Sequence, residues 1–566
     1  MKKYLYLSIA FFVVLFFVLL SKGSIYHNQL YSFTDWKWRQ FHHPEMADSS
    51  VVLVAIDNKS LDFVENRLKI TWPWPREFYA LIYDYLSESQ AASVTFDILM
   101  DDPERDRMEF AGGSSDGRLA ASFSKNDIAI LAAMIQESSL SHKQELHEHE
   151  LIFDNSEQIP GIKYNDISLP LREFCDAGAD IGIANFRMDS DGICRRLPLF
   201  FNLNNVHLPQ LALSAYLKGT GDKIISYDSK KQLIKTQQRQ FKLDKNGNFP
   251  IFWYGPGDAN GVFRYDSFHA LLMSAVKAQQ GGTPDILPQE YKDKHIIICA
   301  SASGLVDLKT TPFTSVAPYP GGEIHATLLS NLLNNHQLNT IPLAPLALLA
   351  FLLSALISYS FLHRNLRFSL LLTFSIIFLI ISVNLFYFYV TFLDMDILLP
   401  LGSILFSGSI SSIYRTINEG QAKRQMRSMF SRYLSNDVID LLLKDPDKVD
   451  LEGSEIIATS LFTDLQNFTT YSEDKTPRDV IRALNKYFSV ITKIVLDKGG
   501  LLDKYTGDGI MAIFGAPIPR KNHVESACEF ILEFRNHDVN ELIPTEQGAI
   551  ATRIGISSGP MVVGNL

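Results

Sequence analysis

Four apolar runs constrain what this chain can fold into. The first, Tyr4 to Leu20, stands behind Lys2 and Lys3, and the other three, Ile341 to Leu362, Phe368 to Phe392 and Ile397 to Tyr414, follow one another with short breaks. Each is about long enough to cross a hydrocarbon core of roughly 30 Å as a helix, which satisfies its own backbone N–H and C=O groups. A buried core helix is the alternative for any single run, but three in near succession around one short basic loop read as membrane spans. No small-x-small cleavage site follows the first run, so it reads as an uncleaved anchor rather than a signal peptide.

Charge orients these spans. Arg364 and Arg367 lie between the second and third, Asp394 and Asp396 between the third and fourth, and Arg415, Lys423, Arg424, Arg427 and Arg432 follow the fourth. With basic residues inside, the N-terminus, the Arg loop and everything past Tyr414 are cytoplasmic. The expected organisation is an N-terminal anchor at 1–22, an extracytoplasmic α/β domain at 23–340, three transmembrane helices at 341–414, a cytoplasmic helix at 415–450 and a C-terminal α+β domain at 451–566. That is a multidomain, multi-pass protein of the inner (plasma) membrane. A hydrophobic content of 46% fits a chain whose membrane part is a minority, and 566 residues exceed what one core organises. The net charge of -10 argues against a nucleic-acid partner. Of the cysteines, Cys175, Cys194 and Cys299 fall in the outer domain, where a Cys175–Cys194 disulfide and buried free thiols are both open; Cys528 falls in the C-terminal domain.

In the outer domain, strand-like runs (Val51 to Ile56, Ala92 to Ile98, Ile128 to Ala133, His295 to Ala300) alternate with helical patterns, which favours several parallel strands. Trp72 and Trp74, in Trp-Pro-Trp-Pro-Arg, are expected to pack a loop. Asp57, Asp97 and Asp307 are expected at strand ends, and His325 is expected to be packed or capping rather than a metal ligand. The pieces Val54–Asp57, Trp72–Arg76, Phe96–Leu99, Asp189–Arg196, Asp307 with Thr311–Phe313, and Gly321–Ala326 together resemble the CHASE-type extracellular sensor family, second class. The resemblance covers roughly Ser24 to Asn335 and implies a sensor for an extracytoplasmic ligand that it does not name. Arg415 to Leu443, with Ile417, Met426, Met429, Phe430, Tyr433, Leu434, Val438, Ile439 and Leu442 near helical spacing, reads as a dimerising signalling helix, with a plain helical linker as the alternative.

The C-terminal domain centres on two aspartates. Asp464 stands where the strand Ile456 to Thr463 runs into a turn, and Asp508 stands in the Gly507-Asp508-Gly509 turn of a hairpin from Leu501 to Phe514. Between them Thr476-Pro477 starts a helix that Gly499-Gly500 stops; a helix from about His523 to Asn536 and a strand at Ala549 to Ser557 follow. The order βαββαβ is that of a ferredoxin-like half-sheet. Paired carboxylates at neighbouring strand ends suit hard divalent ions such as Mg²⁺ or Mn²⁺ on a nucleoside triphosphate.

Here Leu461–Thr469 and Asp503–Gly515 resemble the first and second metal motifs of the class III nucleotidyl cyclases, and Ser435–Pro446 resembles the segment that leads into them. The resemblance implies conversion of ATP to 3′,5′-cyclic AMP and pyrophosphate. Attack of the ribose 3′-oxygen on the α-phosphate is assisted by two ions about 3.5–4 Å apart. Asp464, Asp508 and the carbonyl of Leu465 would hold the metals, and Asn467, Phe468 and Thr469 would meet the phosphates. Many relatives have Gly where Asn467 stands, a mild departure. Lys504, four residues before Asp508, would donate to adenine N1 and disfavour guanine. The resemblance also implies a head-to-tail homodimer in which one chain holds the metals and the other supplies Lys504. The chain stops at Gly564-Asn565-Leu566, inside the expected domain. The family's second base-selecting residue and its transition-state Asn and Arg are expected beyond that point, so the catalytic domain is expected to be incomplete at its C-terminus. A catalytically incomplete nucleotide-binding signalling protein and a guanylate cyclase are the alternatives. Lys504 and Thr506-Gly507-Asp508 argue against a diguanylate cyclase.

Overall fold

The computed structural model describes residues 4–105, 112–136, 149–161, 163–164, 166–203, 206–257, 261–302, 304–305, 308–313, 319–430, 454–516, 519–537, 543–545 and 548–563. The chain divides into two units, Met1–Ser409 and Ile410–Leu566.

The first unit opens with helices α1 (Leu5–Leu20) and α2 (Ser24–Gln40), bent by 85° where they meet. Its sheet is built from β1 (Val51–Ile56), β2 (Ser93–Leu99), β3 (Ala129–Gln136), β4 (Asp166–Ser168), β5 (Asp180–Ile183), β6 (Arg264–Ser267) and β7 (His295–Ala300). The order is β6-β1-β7-β2-β3, with β4 and β5 both on β3; every pairing is parallel except that of β4. Parallel strands buried on both faces need continuous apolar runs, and Val-Val-Leu-Val-Ala-Ile of β1 is buried throughout. Because side chains alternate along a strand, Val52, Val54 and Ile56 join Ile296, Ile298 and Phe96 on one face, while Leu53, Ile297 and Ile130 share the other. The first face is covered by α3 (Arg76–Glu88) and α5 (Phe268–Gln279), the second by α4 (Leu211–Thr220) and α6 (Gly321–Asn334).

Within this domain Asp57 caps the helix after β1, its carboxylate accepting from the Ser60 N–H at 2.7 Å. Asp97 differs from expectation: it lies inside β2, because the ladder with β7 runs on to the Asp97–Cys299 pair. Asp307 lies outside the described residues. Trp74 is buried against Phe268, with Trp72 edge-on to it at 5.2 Å, so the Trp-Pro-Trp-Pro segment packs a loop. His325 is buried in α6, its Nδ1 2.7 Å from Nε2 of Gln210 and its ring stacked on Phe186. Cys175, Cys194, Cys299 and Cys528 are all free thiols, so no Cys175–Cys194 disulfide forms.

Helices α7 (Leu343–His363) and α8 (Leu366–Thr391) are, among the described residues, those that are by themselves long and apolar enough to cross a membrane. The 16 residues of α1 reach that measure only together with α2. The expected fourth span and the helix after it are one continuous element, α9 (Leu398–Phe430), of 33 residues. Its N-terminal half is less apolar because Gly402, Ser403, Ser407, Gly408 and Ser411 occupy it. The three serines are buried, and a Cβ on Gly402 would come within 2.3 Å of the Phe17 ring. Small residues at such contacts let helices approach closely. Val13, Val14 and Phe17 of α1, Ala350, Ile357 and Phe361 of α7, Ile380 of α8 and Leu399 and Ile404 of α9 form one core, while Phe11, Phe12, Leu352, Phe374 and Phe378 are exposed outside it. The part of the expected signalling helix beyond Phe430 lies outside the described residues, as does the lead-in segment Ser435–Pro446.

Sequence reading passes over α2, and α2 holds the unit together. Fully buried Lys37 pairs with Asp394 in the turn between α8 and α9, and its ammonium lies 3.3 Å from Oδ1 of Asn384 and 4.6 Å from the centre of the Phe388 ring. Thr34 donates to the other Asp394 oxygen at 2.8 Å, and Tyr26 donates to Asp396 at 2.7 Å. On its domain side, Asp35 accepts two bonds from Arg195 at 2.8 and 2.7 Å. Arg195 also binds Asp189 at 3.1 Å and Asp191 at 2.7 Å. Backbone pairing of Asn339–Thr340 with Leu393–Asp394 fixes the same turn from the end of α6.

The second unit follows strand, helix, strand, strand, helix, strand: β8 (Ser454–Leu465), a short helix α10 (Phe468–Glu473), α11 (Pro477–Asp497), β9 (Gly500–Thr506), β10 (Gly509–Phe514), α12 (His523–Asn536) and β11 (Thr552–Val563). The last strand starts later and runs further than the sequence suggests, because Gly548–Ala549 pairs separately with Pro544–Thr545. The sheet order is β9-β10-β8-β11, antiparallel throughout. Thr476 caps α11, accepting from the Asp479 N–H at 3.3 Å. Tyr487, Ile491 and Val495 of α11 and Phe530 and Phe534 of α12 bury one sheet face against Leu461, Ile510, Ala512 and Phe514.

Two predictions follow from the first unit. Removing one partner of a buried ion pair strands the other, so Lys37→Met or Asp394→Asn is expected to cost about 3–5 kcal/mol. Thermal unfolding of the detergent-solubilised chain checks this, and a wild-type melting point in both variants would refute it. Burial also pushes the His295 and His325 imidazoles down, to about 4 and about 3. The unfolded chain, with histidines near 6.5, therefore takes up protons first. Their contribution is complete above pH 6.5 and is lost as pH falls towards 4 and then 3, by about 1.4 kcal/mol per pH unit for each histidine. Melting temperatures across pH 4–6.5 should fall with acid in the wild type and fall less in His295→Gln.

Candidate active site

The geometry of the second unit's site begins at one glycine. Gly509 opens β10, and a Cβ there would lie 1.7 Å from the carbonyl oxygen of Thr463 and 3.3 Å from the Cα of Asp464. Only glycine permits that approach, and it brings the β9–β10 turn onto the end of β8. Gly507, at φ +75, supplies the left-handed residue of the turn. Asp508, half-buried, is thereby placed beside Asp464. Thr463 secures the contact: its Oγ1 accepts from the Ile510 N–H at 3.0 Å and from the Tyr487 hydroxyl at 3.5 Å.

Both aspartates act on one phenol. Burial pushes the Tyr487 hydroxyl up, the neighbouring Thr463 and Thr552 hydroxyls offset part of that, and the charges of Asp508 and Asp464 add to the rise. Asp464 points to solvent, its side chain 58% exposed, and its nearest cation is the Arg553 guanidinium at 3.8 Å. Arg553 faces Asp464 in the β8–β11 register. Sequence reasoning missed this residue; only a correct register for β11 could have found it.

The remaining predicted residues divide into two groups. Leu465 is buried as the last residue of β8, and Asn467 follows in the left-handed region at φ 60, where glycine or asparagine is favoured. Phe468 and Thr469 begin α10 directly after it. All of these stand with Asp464 at one end of the sheet. Lys504 does not join them: it lies on β9, 64% exposed, its ammonium 3.4 Å from Asp503. Among the described residues no cluster of three or more His, Cys, Asp or Glu side chains is gathered to hold a metal. Two accessible carboxylates and a strand-end carbonyl are a donor set for hard divalent ions that draw further oxygens from a ligand, not a closed protein cage.

Comparison with known proteins agrees with both units. Residues 9–359 match the CHASE2 domain, and residues 454–566 match the adenylate and guanylate cyclase catalytic domain. Adenylate cyclase 1 of Rhizobium meliloti is 33% identical over 113 residues, covering 19% of this chain and 17% of that protein. An adenylate cyclase of Mycobacterium tuberculosis is 29% identical over 122 residues, covering 22% of this chain and 27% of the other. The chain thus spans about a quarter or less of the length of these curated relatives. The guanylyl cyclase domain of the RhoGC fusion protein from the fungus Blastocladiella emersonii is 30% identical, with a TM-score of 0.19, covering 20% of this chain and 63% of that one. The match over residues 9–359 takes in more than half of the sequence, and with it the chain belongs to the CHASE2-domain family, here joined to a class III adenylate and guanylate cyclase catalytic domain.

Proposed function

We propose that the chain is part of a membrane-bound receptor adenylate cyclase, in which an extracytoplasmic sensor regulates conversion of ATP to 3′,5′-cyclic AMP and pyrophosphate. The observation that carries this reading is the Gly509–Thr463 approach, which sets Asp508 beside Asp464 at the end of β8. Asp464, Asp508 and the Leu465 carbonyl would hold two Mg²⁺ or Mn²⁺ ions. When bound, the ions neutralise charge on the leaving pyrophosphate and favour loss of the ribose 3′-proton. The backbone N–H groups at Phe468 and Thr469 would donate to phosphate oxygens.

The sheet order β9-β10-β8-β11 with both helices on one face supports a ferredoxin-like arrangement. On the face turned away from the helices Phe462 is exposed, and Ile456, Met561 and Val563 are only partly buried against Ala458 and Ile513. An apolar sheet face of this kind favours a second copy of the domain. In such a dimer the exposed Lys504 reaches the partner's nucleotide, where its ammonium donates to adenine N1 and meets a clashing N1–H in guanine. The basic residues in the second half of α9 and at the α7–α8 junction support a cytoplasmic catalytic domain and an outward sensor.

Cyclic AMP formation from Mn-ATP by the full gene product in membranes tests the assignment. Asp464→Ala and Asp508→Ala are each expected to lower it by at least about 100-fold, since loss of even outer-shell metal partners costs 10–100-fold. Activity retained in either variant would refute the metal roles. Lys504→Glu should raise the ratio of GTP to ATP turnover, and an unchanged ratio would remove Lys504 from base selection.

A further inference from the structure

A cavity of about 370 Å³ opens at the corner where α1 bends into α2. Its size falls within the range of small-molecule sites, about 300–1,000 Å³. Lys22 lies in the corner, His27 and Tyr31 stand on the following turns of α2, and Arg187, Asp189 and Arg196 come from the acidic turn of the outer domain. Three fixed cations thus line it against one carboxylate, in a chain whose net charge is -10. That carboxylate is already engaged, since Asp189 binds Arg195 and Arg196 at 3.1 Å each. Arg196 is held further by Asp244 at 3.2 Å and by the Tyr31 ring at 5.1 Å. Lys22 and Arg187 form no ion pair among the described residues.

A concave site lined by Lys22 and Arg187, which have no ion pair among the described residues, concentrates anions, and guanidinium forks match carboxylate and phosphate oxygens. We propose that this cavity binds a small anion bearing a carboxylate or phosphate group, held by Lys22, Arg187 and Arg196. The occupant bears on the first turns of α2, where Tyr26 binds Asp396 in the α8–α9 turn. Two sources offer this chemistry: a soluble anion, and the headgroup of an anionic phospholipid reached from the end of α1.

Thermal unfolding of the full chain separates the sources. In neutral detergent the probes are inorganic phosphate and citrate, against chloride at matched ionic strength. In vesicles the comparison is phosphatidylcholine alone against phosphatidylcholine with phosphatidylglycerol. Saturating phosphate or citrate is expected to raise the melting temperature by a few degrees. Arg187→Ala and Lys22→Ala, neither of which breaks an ion pair, are expected to need at least about fivefold more probe. A rise confined to phosphatidylglycerol vesicles and lost in the same variants supports the site with a lipid headgroup as its ligand. No rise with any probe, or a rise undiminished in both variants, overturns the proposal.

Discussion

A lysine ammonium with no access to water is tolerated only where its surroundings replace hydration, and the first unit is arranged around meeting that demand at Lys37. Asp394 supplies the counter-charge, Asn384 a carbonyl, and the Phe33 and Phe388 rings their negative faces. These partners come from α2, α8 and the turn before α9, so satisfying one charge fixes three elements together. Asp35, two residues before Lys37, pairs with Arg195 in the same manner and ties α2 to the acidic turn of the sheet domain. The helix between these two pairs cannot shift without weakening at least one of them. That makes α2 the element that ties the sheet domain to the apolar helices.

In the second unit the comparable constraint is steric. The absence of a side chain at Gly509 lets the hairpin turn settle on the end of β8, and the Thr463 hydroxyl holds it there. The turn that carries Asp508 is thereby brought to the strand end that carries Asp464. The site is therefore preorganised by backbone packing, and the charges follow.

Much of this was legible before folding. Continuous apolar runs mark β1 and β7 as strands buried on both faces, because no polar residue interrupts them. Thr476-Pro477 marks the start of α11, because a hydroxyl cap and a proline at the first turn satisfy groups any helix must satisfy. Asp464 and Asp508 stood out through their local turn chemistry. What was not legible depended on distant partners. The α2 sequence is polar and aromatic without clean periodicity, since its charged residues face inward to Asp394 and Arg195 rather than outward to water. Serines facing the bundle core kept the first half of α9 from the apolarity of α7 and α8. Arg553 needed a strand register that no local pattern encodes.

The sequence by itself determined the apolar runs, the charge asymmetry around them, the parallel strands of the sheet domain and the two aspartates, because each rests on local composition, periodicity or turn chemistry. Only the tertiary structure decided that Asp394 is a buried counter-ion as well as a residue of an acidic turn, and that Gly509 is a contact surface as well as a turn residue. It alone gathered Lys22, Arg187 and Arg196 around one cavity. The physical reason is the same in each case: these roles are set by what lies across a packed interface, hundreds or tens of residues away along the chain, where local preference carries no information.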